Sequence, residues 1–220
     1  MEVNNVVLII VTLCLLCLFE LGYSQGVKGY PAPSICKTRE CVPYEIIHSE
    51  KEFEIRKYNV TYWVETPLIN SKSYKDAYQK GFNLLLNYIQ GYNIPKIKLD
   101  MTAPFLIDFE IHLDQGSTRY NVNYKIPEKV EFPAPYPSQN LTKVGHPMLD
   151  FGAVRRVDGY LNNTIISSEI KELEKHLKGT QWEVKEEYPI LSVADYNPPL
   201  SRVNEIIIWF GPPCSPCPPY

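Results

Sequence analysis

Phe53-Glu-Ile-Arg-Lys-Tyr58 is the stretch of sequence from which the fold can first be read. Side chains of a β-strand point alternately to its two faces, so Phe53, Ile55 and Lys57 share one face. The neighbouring runs 44–48 and 61–65 have the same β-rich composition and are separated from it by short polar breaks. We therefore predict consecutive strands here, with Lys57 directed towards the same apolar side as Phe53 and Ile55.

An amphipathic helix is predicted after these strands. Ser73 is a suitable N-cap, Asp76 stands three residues later as in a capping box, and Gly91 is a suitable stop. Apolar side chains recur between them every three or four residues. They are Tyr74, Tyr78, Phe82, Leu85 and Ile89. Such a stripe is typical of a helix that packs on a sheet.

The second half of the chain repeats this order. Strand-like runs at 105–110 and 120–126 complete the first unit, and a Pro-rich crossing at 132–137 leads to the second. The second unit contains a strand, a helix and two further strands, near 152–157, 167–177, 188–194 and 205–210. The pattern predicts one α+β domain built from two β-β-α-β-β units.

Six short motifs in this order resemble the SOUL haem-binding protein family. They are Phe53–Tyr58, Trp63-Val-Glu-Thr66, Gly81-Phe82 with Tyr88-Ile-Gln-Gly91, Met101-Thr-Ala-Pro104, Tyr196-Asn-Pro-Pro199 and Asn204-Glu205. The resemblance implies a distorted antiparallel β-barrel with internal pseudo-twofold symmetry, flanked by two long helices. It also implies non-covalent binding of haem or another tetrapyrrole in an apolar cleft.

A porphyrin is an apolar plate with two carboxylates, so its site needs apolar walls and a cation at the mouth. The expected ligand-binding residues are Lys57, Lys75, Tyr78, Phe82, Leu85, Ile89, Met101 and Glu205. Some members of the resembled family carry a histidine, proposed as an iron ligand, at the position of Lys57. Here Lys57 would meet a haem propionate or, alternatively, Glu205. The alternative role of the helix stripe is core packing.

Catalytic and metal-binding patterns are absent from the sequence. The four histidines form no i,i+4 pair and no C-x-x-C-H haem attachment site, which leaves His48 and His146 as the candidates for a metal ligand. No G-x-S-x-G, H-E-x-x-H or phosphate-loop motif occurs. We therefore predict a non-enzymatic tetrapyrrole carrier, buffer or scavenger. The alternatives are a cleft hydrolase or isomerase that uses a desolvated Glu205, and an interaction module that has lost the ligand.

The N-terminal sequence indicates export. The apolar run 6–19 is too short to span a bilayer, and small residues at 22 and 24 precede Gln25, as in a cleavable signal peptide. We expect a signal peptide at 1–24, a leader at 25–43, the haem-binding domain at 44–211 and a Pro- and Cys-rich tail at 212–220. A retained signal anchor is the alternative.

The mature chain would thus be secreted and have no stable membrane anchor. It would carry 22 basic side chains, and 23 acidic ones once Glu2 and Glu20 are removed. This overall balance provides no field that attracts nucleic acid or an anionic membrane.

Cysteines and glycosylation sequons agree with a secretory route. Four cysteines remain after the signal peptide, namely Cys36, Cys41, Cys214 and Cys217. They allow three disulfide pairings, which the sequence cannot distinguish, and a redox or zinc site is an alternative. We expect two disulfides that join the leader to the tail. The three sequons place candidate glycans on Asn59, Asn140 and Asn162.

Overall fold

A ten-stranded antiparallel sheet dominates the computed structural model, which describes residues 29–94, 96–112, 117–130, 136–137, 143–145, 151–185, 189–196 and 203–211. Its strands are β1 (Tyr44–Ser49), β2 (Glu54–Tyr58), β3 (Trp63–Glu65), β4 (Ile69–Ser71), β6 (Phe105–His112), β7 (Ser117–Lys125), β9 (Lys143–Gly145), β10 (Phe151–Asp158), β11 (Leu191–Asp195) and β12 (Val203–Phe210). Two short strands, β5 (Asn93–Ile94) and β8 (Tyr136–Pro137), pair with each other.

The two halves of the chain exchange strands. The order is β1-β2-β10-β12-β11-β6-β7-β3-β9, and β4 also pairs with β7. Consequently β2 of the first half pairs with β10 of the second, and β9 of the second half pairs with β3 of the first. The α+β class is confirmed. Over the described residues the order ends at β1 and β9, so the expected distorted barrel is not a closed one there.

Both helices begin at a side-chain cap. The helix α1 (Tyr74–Ile89) follows Ser73, whose Oγ accepts the N–H of Asp76 at 3.2 Å, and Gly91 beyond its end has a φ of 108°. The helix α2 (Asn163–Leu177) begins earlier than predicted, because Oδ1 of Asn162 accepts the N–H of Ile165 at 2.9 Å. This bond satisfies one of the free donors of the first turn.

The helix-covered face of the sheet holds the main apolar core. Phe53 and Ile55 are fully buried there. Gly81 of α1 lies so close to β7 that a Cβ would stand 2.3 Å from the Val122 side chain. Four members of the predicted stripe, Tyr74, Phe82, Leu85 and Ile89, are buried in this core, and Tyr78 is half-buried. The stripe therefore packs α1 on the sheet.

The opposite face, called the leader face below, is covered by residues 29–43. Ile35 and Val42 pack on a second apolar cluster that contains Tyr58, Trp63 and Trp209. The segment that we predicted to precede the domain thus shields one of the two faces of its sheet. Its removal would expose a tyrosine and two tryptophans to water.

The disulfide of this segment is local. Cys36 is bonded to Cys41, five residues further on. The expected pairing of the leader with the tail is therefore wrong for these two cysteines, since each has the other as its partner. The bond ties the 3-10 helix Ser34–Lys37, which contains Cys36, to the residues that follow it.

Several sequence predictions concern residues outside the described ranges. They are the signal peptide at 1–24, the tail with Cys214 and Cys217, the sequon at Asn140, and His146. Within those ranges, no helix is long and apolar enough to cross a membrane. Export stays a prediction.

Candidate functional site

Lys57 lies at one margin of the helix-covered face. In the sheet it stands opposite Phe151 of β10, and its ammonium is 6.0 Å from the centre of the Phe151 ring. The side chain is exposed. Lys57 thus alternates with buried Arg56 as predicted, but it is exposed, because β2 ends at the next residue and Lys57 lies at the edge of the core.

The Tyr78–Phe82 part of the helix stripe lies at the other end of that face. The Phe82 ring is 5.1 Å from the ring of Phe105. The register places Phe105 in one row with Asp195, Asn204 and Val157. Val157 is six residues along β10 from Phe151, the neighbour of Lys57, which corresponds to about 20 Å. Lys57 and the Phe82 ring therefore stand near opposite ends of the strands that form this face.

The other expected ligand residues lie along α1. Lys75 is exposed and stands three residues before Tyr78, so the two side chains share one side of the helix. Leu85 and Ile89 are buried, whereas Met101 packs half-buried against the same core. Burial, and then the Asp195 carboxylate, raise the pKa of Tyr78, so its hydroxyl remains neutral.

A small cavity lies where the N-termini of the two helices meet. It is lined by residues that include Tyr74, Tyr120 and Asn163, and its volume is about 40 Å³. Oδ1 of Asn163 accepts the N–H of Tyr74 at 2.9 Å and so joins the two helix ends. Pockets that bind cofactors or drug-sized ligands usually measure ~300–1,000 Å³, so this cavity is too small for a tetrapyrrole.

A chain of aromatic side chains, which we call the aromatic row, starts beside Lys57. It consists of Phe151, Phe210 and Trp182. The ring centres of Phe151 and Phe210 are 6.1 Å apart, and those of Phe210 and Trp182 are 6.5 Å apart. Phe151 and Trp182 are half-buried and so remain accessible to a ligand.

His48 stands at the far end of the aromatic row. Its ring centre is 6.2 Å from that of Trp182, and its Nε2 lies 3.0 Å from Oε1 of Glu50. This hydrogen bond occupies the nitrogen that is the less hindered of the two. Among the described residues, no group of three or more His, Cys, Asp or Glu side chains is arranged to hold a metal ion.

The aromatic row fits the chemistry of haem in two respects. Half-buried aromatic rings offer a flat apolar surface to a porphyrin. The exposed ammonium of Lys57, at the margin of the row, suits a propionate. The structure thus joins two sequence candidates, Lys57 and His48, through side chains that the sequence did not indicate.

Glu205 belongs to a buried network on the leader face. Arg56 donates to both of its oxygens, from Nη1 at 2.7 Å and from Nη2 at 2.8 Å. Nε of Arg56 donates to Oε2 of Glu54 at 2.6 Å. All three side chains are fully buried. The alternative pairing of Glu205 with Lys57 is wrong, since the adjacent residue, Arg56, points to the face that carries Glu205.

Two further side chains complete this network. The hydroxyl of Tyr196 donates to Oε2 of Glu205 at 2.9 Å, and Nη2 of Arg156 approaches Oε1 at 3.3 Å. Burial, and then the Glu205 carboxylate, raise the pKa of Tyr196 well above its ordinary value, so this hydroxyl remains a donor. Two guanidinium groups thus face two carboxylates, and the Tyr196 hydroxyl donates to one of them.

The network also holds the leader. Arg156 donates from Nη1 to the carbonyl of Pro31 at 2.6 Å, and the N–H of Tyr30 donates to Glu54. At the other end of the segment, the buried ammonium of Lys125 pairs with Glu40. These contacts dock residues 29–43 on the leader face through both charge and apolar packing.

Sequence reasoning missed Arg56, Phe151 and Trp182. The signal for Arg56 was present, because Glu54 and Arg56 share one face of a strand whose other face is apolar. Opposite charges at such positions pair when a second layer covers them. No local pattern indicated Phe151 or Trp182, which meet only through strand pairing and the chain after α2.

The sequence matches a known protein family over most of its length. The model of a family described as "SOUL heme-binding protein" matches residues 39–209. Human heme-binding protein 2 is 29% identical over 164 residues, which cover 70% of this chain and 76% of the human protein. The mouse protein of that name is 30% identical over 103 residues, or 44% of this chain and 48% of the mouse protein.

A solved structure titled as a hydrolase from Listeria innocua is a distant neighbour. It has a TM-score of 0.43 and 10% identity, and the alignment covers 74% of this chain and 93% of that one. A similarity of this degree says nothing about catalysis by the present chain.

Proposed function

Because the chain belongs to the SOUL heme-binding protein family, we propose that it is a secreted protein that binds haem or another tetrapyrrole and acts as a carrier, buffer or scavenger. The family match over most of the domain is the observation that supports the ligand class, together with relatives that are named for haem. The secretory part rests on the N-terminal pattern and on the Cys36–Cys41 bond, which is typical of oxidising compartments.

The ligand would lie on the aromatic row. Phe151 and Trp182 would meet the porphyrin plate, and Lys57 would meet a propionate. The ammonium ion of Lys57 has no lone pair with which to bind iron, and Nε2 of His48 is hydrogen-bonded to Glu50. Haem would therefore bind without a strong axial ligand from the protein.

The proposed role is binding without turnover. The hydrolase or isomerase alternative requires a carboxylate that is free to accept a proton. Glu205 instead accepts hydrogen bonds from Arg56 and Tyr196 and ion-pairs with Arg156. This pairing supports a structural role for Glu205 and not the catalytic role that the enzymatic alternative assigns to it.

A haemin titration of the mature, glycosylated protein tests the proposal. We expect saturation at one haemin per chain and a spectrum of a five-coordinate or water-ligated iron. Lys57→Ala should weaken binding by about 1–3 kcal/mol, the range for losing a charge-assisted hydrogen bond. His48→Ala should leave the Soret band unchanged. Lys57→His should tighten binding and shift that band, because it supplies an imidazole.

Two control variants locate the site. Lys51→Ala removes an exposed lysine of the same sheet edge, whose side chain is 94% exposed, and should bind haemin as the wild type does. Lys75→Ala reports on the α1 alternative. Absence of saturable haemin binding would contradict the function. A loss of affinity in Lys75→Ala, with Lys57→Ala unchanged, would place the ligand on α1 instead.

A further inference from the structure

The loop after α1 exposes an unusual amount of apolar surface. Three of the seven large apolar side chains that are exposed in the described part of the chain lie on it, at Tyr92 (68%), Ile94 (64%) and Ile97 (42%). They fall within six consecutive residues. Scattered single exposures are normal on a protein surface, but a local group of three needs an explanation.

A buried asparagine holds this loop in shape. Asn93 is fully buried, and its Nδ2 donates to the carbonyls of Tyr88 at 2.9 Å and of Ile97 at 2.8 Å. Its Oδ1 accepts the N–H of Ile97 at 3.0 Å. These bonds, together with the pairing of β5 with β8, fix the backbone on both sides of the exposed side chains, so presenting them to a partner costs little additional conformational entropy.

The charge around the loop is positive. Lys96 and Lys98 alternate with the apolar residues and are exposed. The nearest carboxylate in sequence, Asp100, is paired with Lys129. Two lysines thus remain beside three apolar side chains.

Glycans on the predicted sequons would cover three of the other four exposed apolar side chains, but not this group. Val60 lies within the sequon Asn59-Val60-Thr61 and Tyr62 directly follows it, and Tyr160 stands two residues before the sequon at Asn162. A sugar chain at either site would cover its apolar neighbours. Residues 91–98 contain no sequon.

We propose that this loop docks the protein peripherally on an anionic membrane surface. Tyr92, Ile94 and Ile97 would enter the interfacial region, while Lys96 and Lys98 would contact lipid phosphates. The three side chains offer roughly 300 Å² of apolar surface, whereas a stable protein interface takes ~800 Å² from each partner. The loop is thus too small for a lasting protein contact, but it suits reversible insertion beside acidic headgroups.

Flotation with vesicles tests this docking on the mature protein. We expect binding to phosphatidylcholine vesicles that contain phosphatidylglycerol, weaker binding to phosphatidylcholine alone, and release at high salt. Lys96→Glu should weaken binding at least about fivefold, the effect of one lysine near such a surface. Ile94→Ser should weaken it on both kinds of vesicle. In Tyr92→Trp, the fluorescence should shift to the blue when anionic vesicles are added.

Leu68→Ser is the matched control. Leu68 is also exposed, at 52%, but it lies before α1 and outside the loop, so this variant should bind as the wild type does. Equal losses in Leu68→Ser and Ile94→Ser, or no flotation of the wild type, would overturn the proposal. So would self-association in sedimentation velocity that Ile94→Ser abolishes, since the loop would then be a contact between copies of the chain.

Discussion

Replacement of Arg56 by methionine should destabilise the domain strongly. Arg56 makes three short hydrogen bonds, at 2.6, 2.7 and 2.8 Å, to two fully buried carboxylates. In Arg56→Met, both Glu54 and Glu205 lose this partner. The guanidinium of Arg156 then remains 3.3 Å from Glu205, but it does not replace the lost partner of Glu54. Breaking one side of a buried ion pair costs about 3–5 kcal/mol. In a domain of this size, that corresponds to a fall in Tm of roughly 6–20 °C.

Urea unfolding followed by circular dichroism would measure the effect. Lys57→Met is the control, because it removes the adjacent cation from the other side of the same strand and should change the free energy of unfolding by less than ~0.5 kcal/mol. Arg56→Lys keeps a charge but loses the fork geometry, and it should lie between the two.

A double-mutant cycle tests the assignment of the partner. Arg56→Met and Glu205→Gln together should cost about 1–3 kcal/mol less than the sum of the single changes. A cost below about 1 kcal/mol for Arg56→Met would refute the reasoning, because the network would then contribute nothing that methionine packing does not replace. Strict additivity would show that Arg56 acts through groups other than Glu205.

Three smaller predictions follow from the same structure. Burial raises the pKa of Asp108 from 3.8 to about 6, so the folded state binds the proton more tightly than the unfolded state. The free energy of unfolding should therefore fall by about 2 kcal/mol between pH 4 and pH 6, out of about 3 kcal/mol over the whole range that spans both pKa values, relative to Asp108→Asn; a pH-independent difference between the two proteins in urea titrations would contradict this. Asn162→Ala should lose both the glycan and the cap of α2, about 1 kcal/mol, whereas Thr164→Ala should lose only the glycan; mass spectrometry and thermal melts separate the two, and equal Tm values would argue against the cap. Replacing Cys36 and Cys41 by serine should cost about 2 kcal/mol, the value for so short a loop in the chain-entropy model; disulfide mapping that links either cysteine to the tail would disprove the local bond.

Local patterns of sequence were sufficient for the helices and most strands. The bond from Asp76 to Ser73 and the positive φ of Gly91 are properties of adjacent residues, so α1 could be located closely. The start of α2 was placed too late, since an N-cap depends on a backbone conformation at Asn162 that periodicity does not report. The family resemblance, carried by short motifs in order, is confirmed by the match over 39–209.

The candidate site was harder to predict because it depends on register. Alternation correctly assigned Lys57 and Phe53 to one side of β2, but alternation says nothing about where along that side a helix stops covering it. Lys57 and Tyr78 were accordingly grouped in one cleft, although the register puts the neighbour of Lys57 six residues along β10, or about 20 Å of strand, from the row that contains Phe105.

The sequence by itself determined the α+β class, the two repeated units, the cap of α1 and the family, because each of these depends on residues that are neighbours in the chain. Only the tertiary structure decided the exchange of β2 and β9 between the halves, the docking of residues 29–43 on the leader face and the partner of Glu205. Arg56 and Glu205 are 149 residues apart. They pair because β2 and β12 both flank β10 and because the leader excludes water from that face, where a charge must find its opposite.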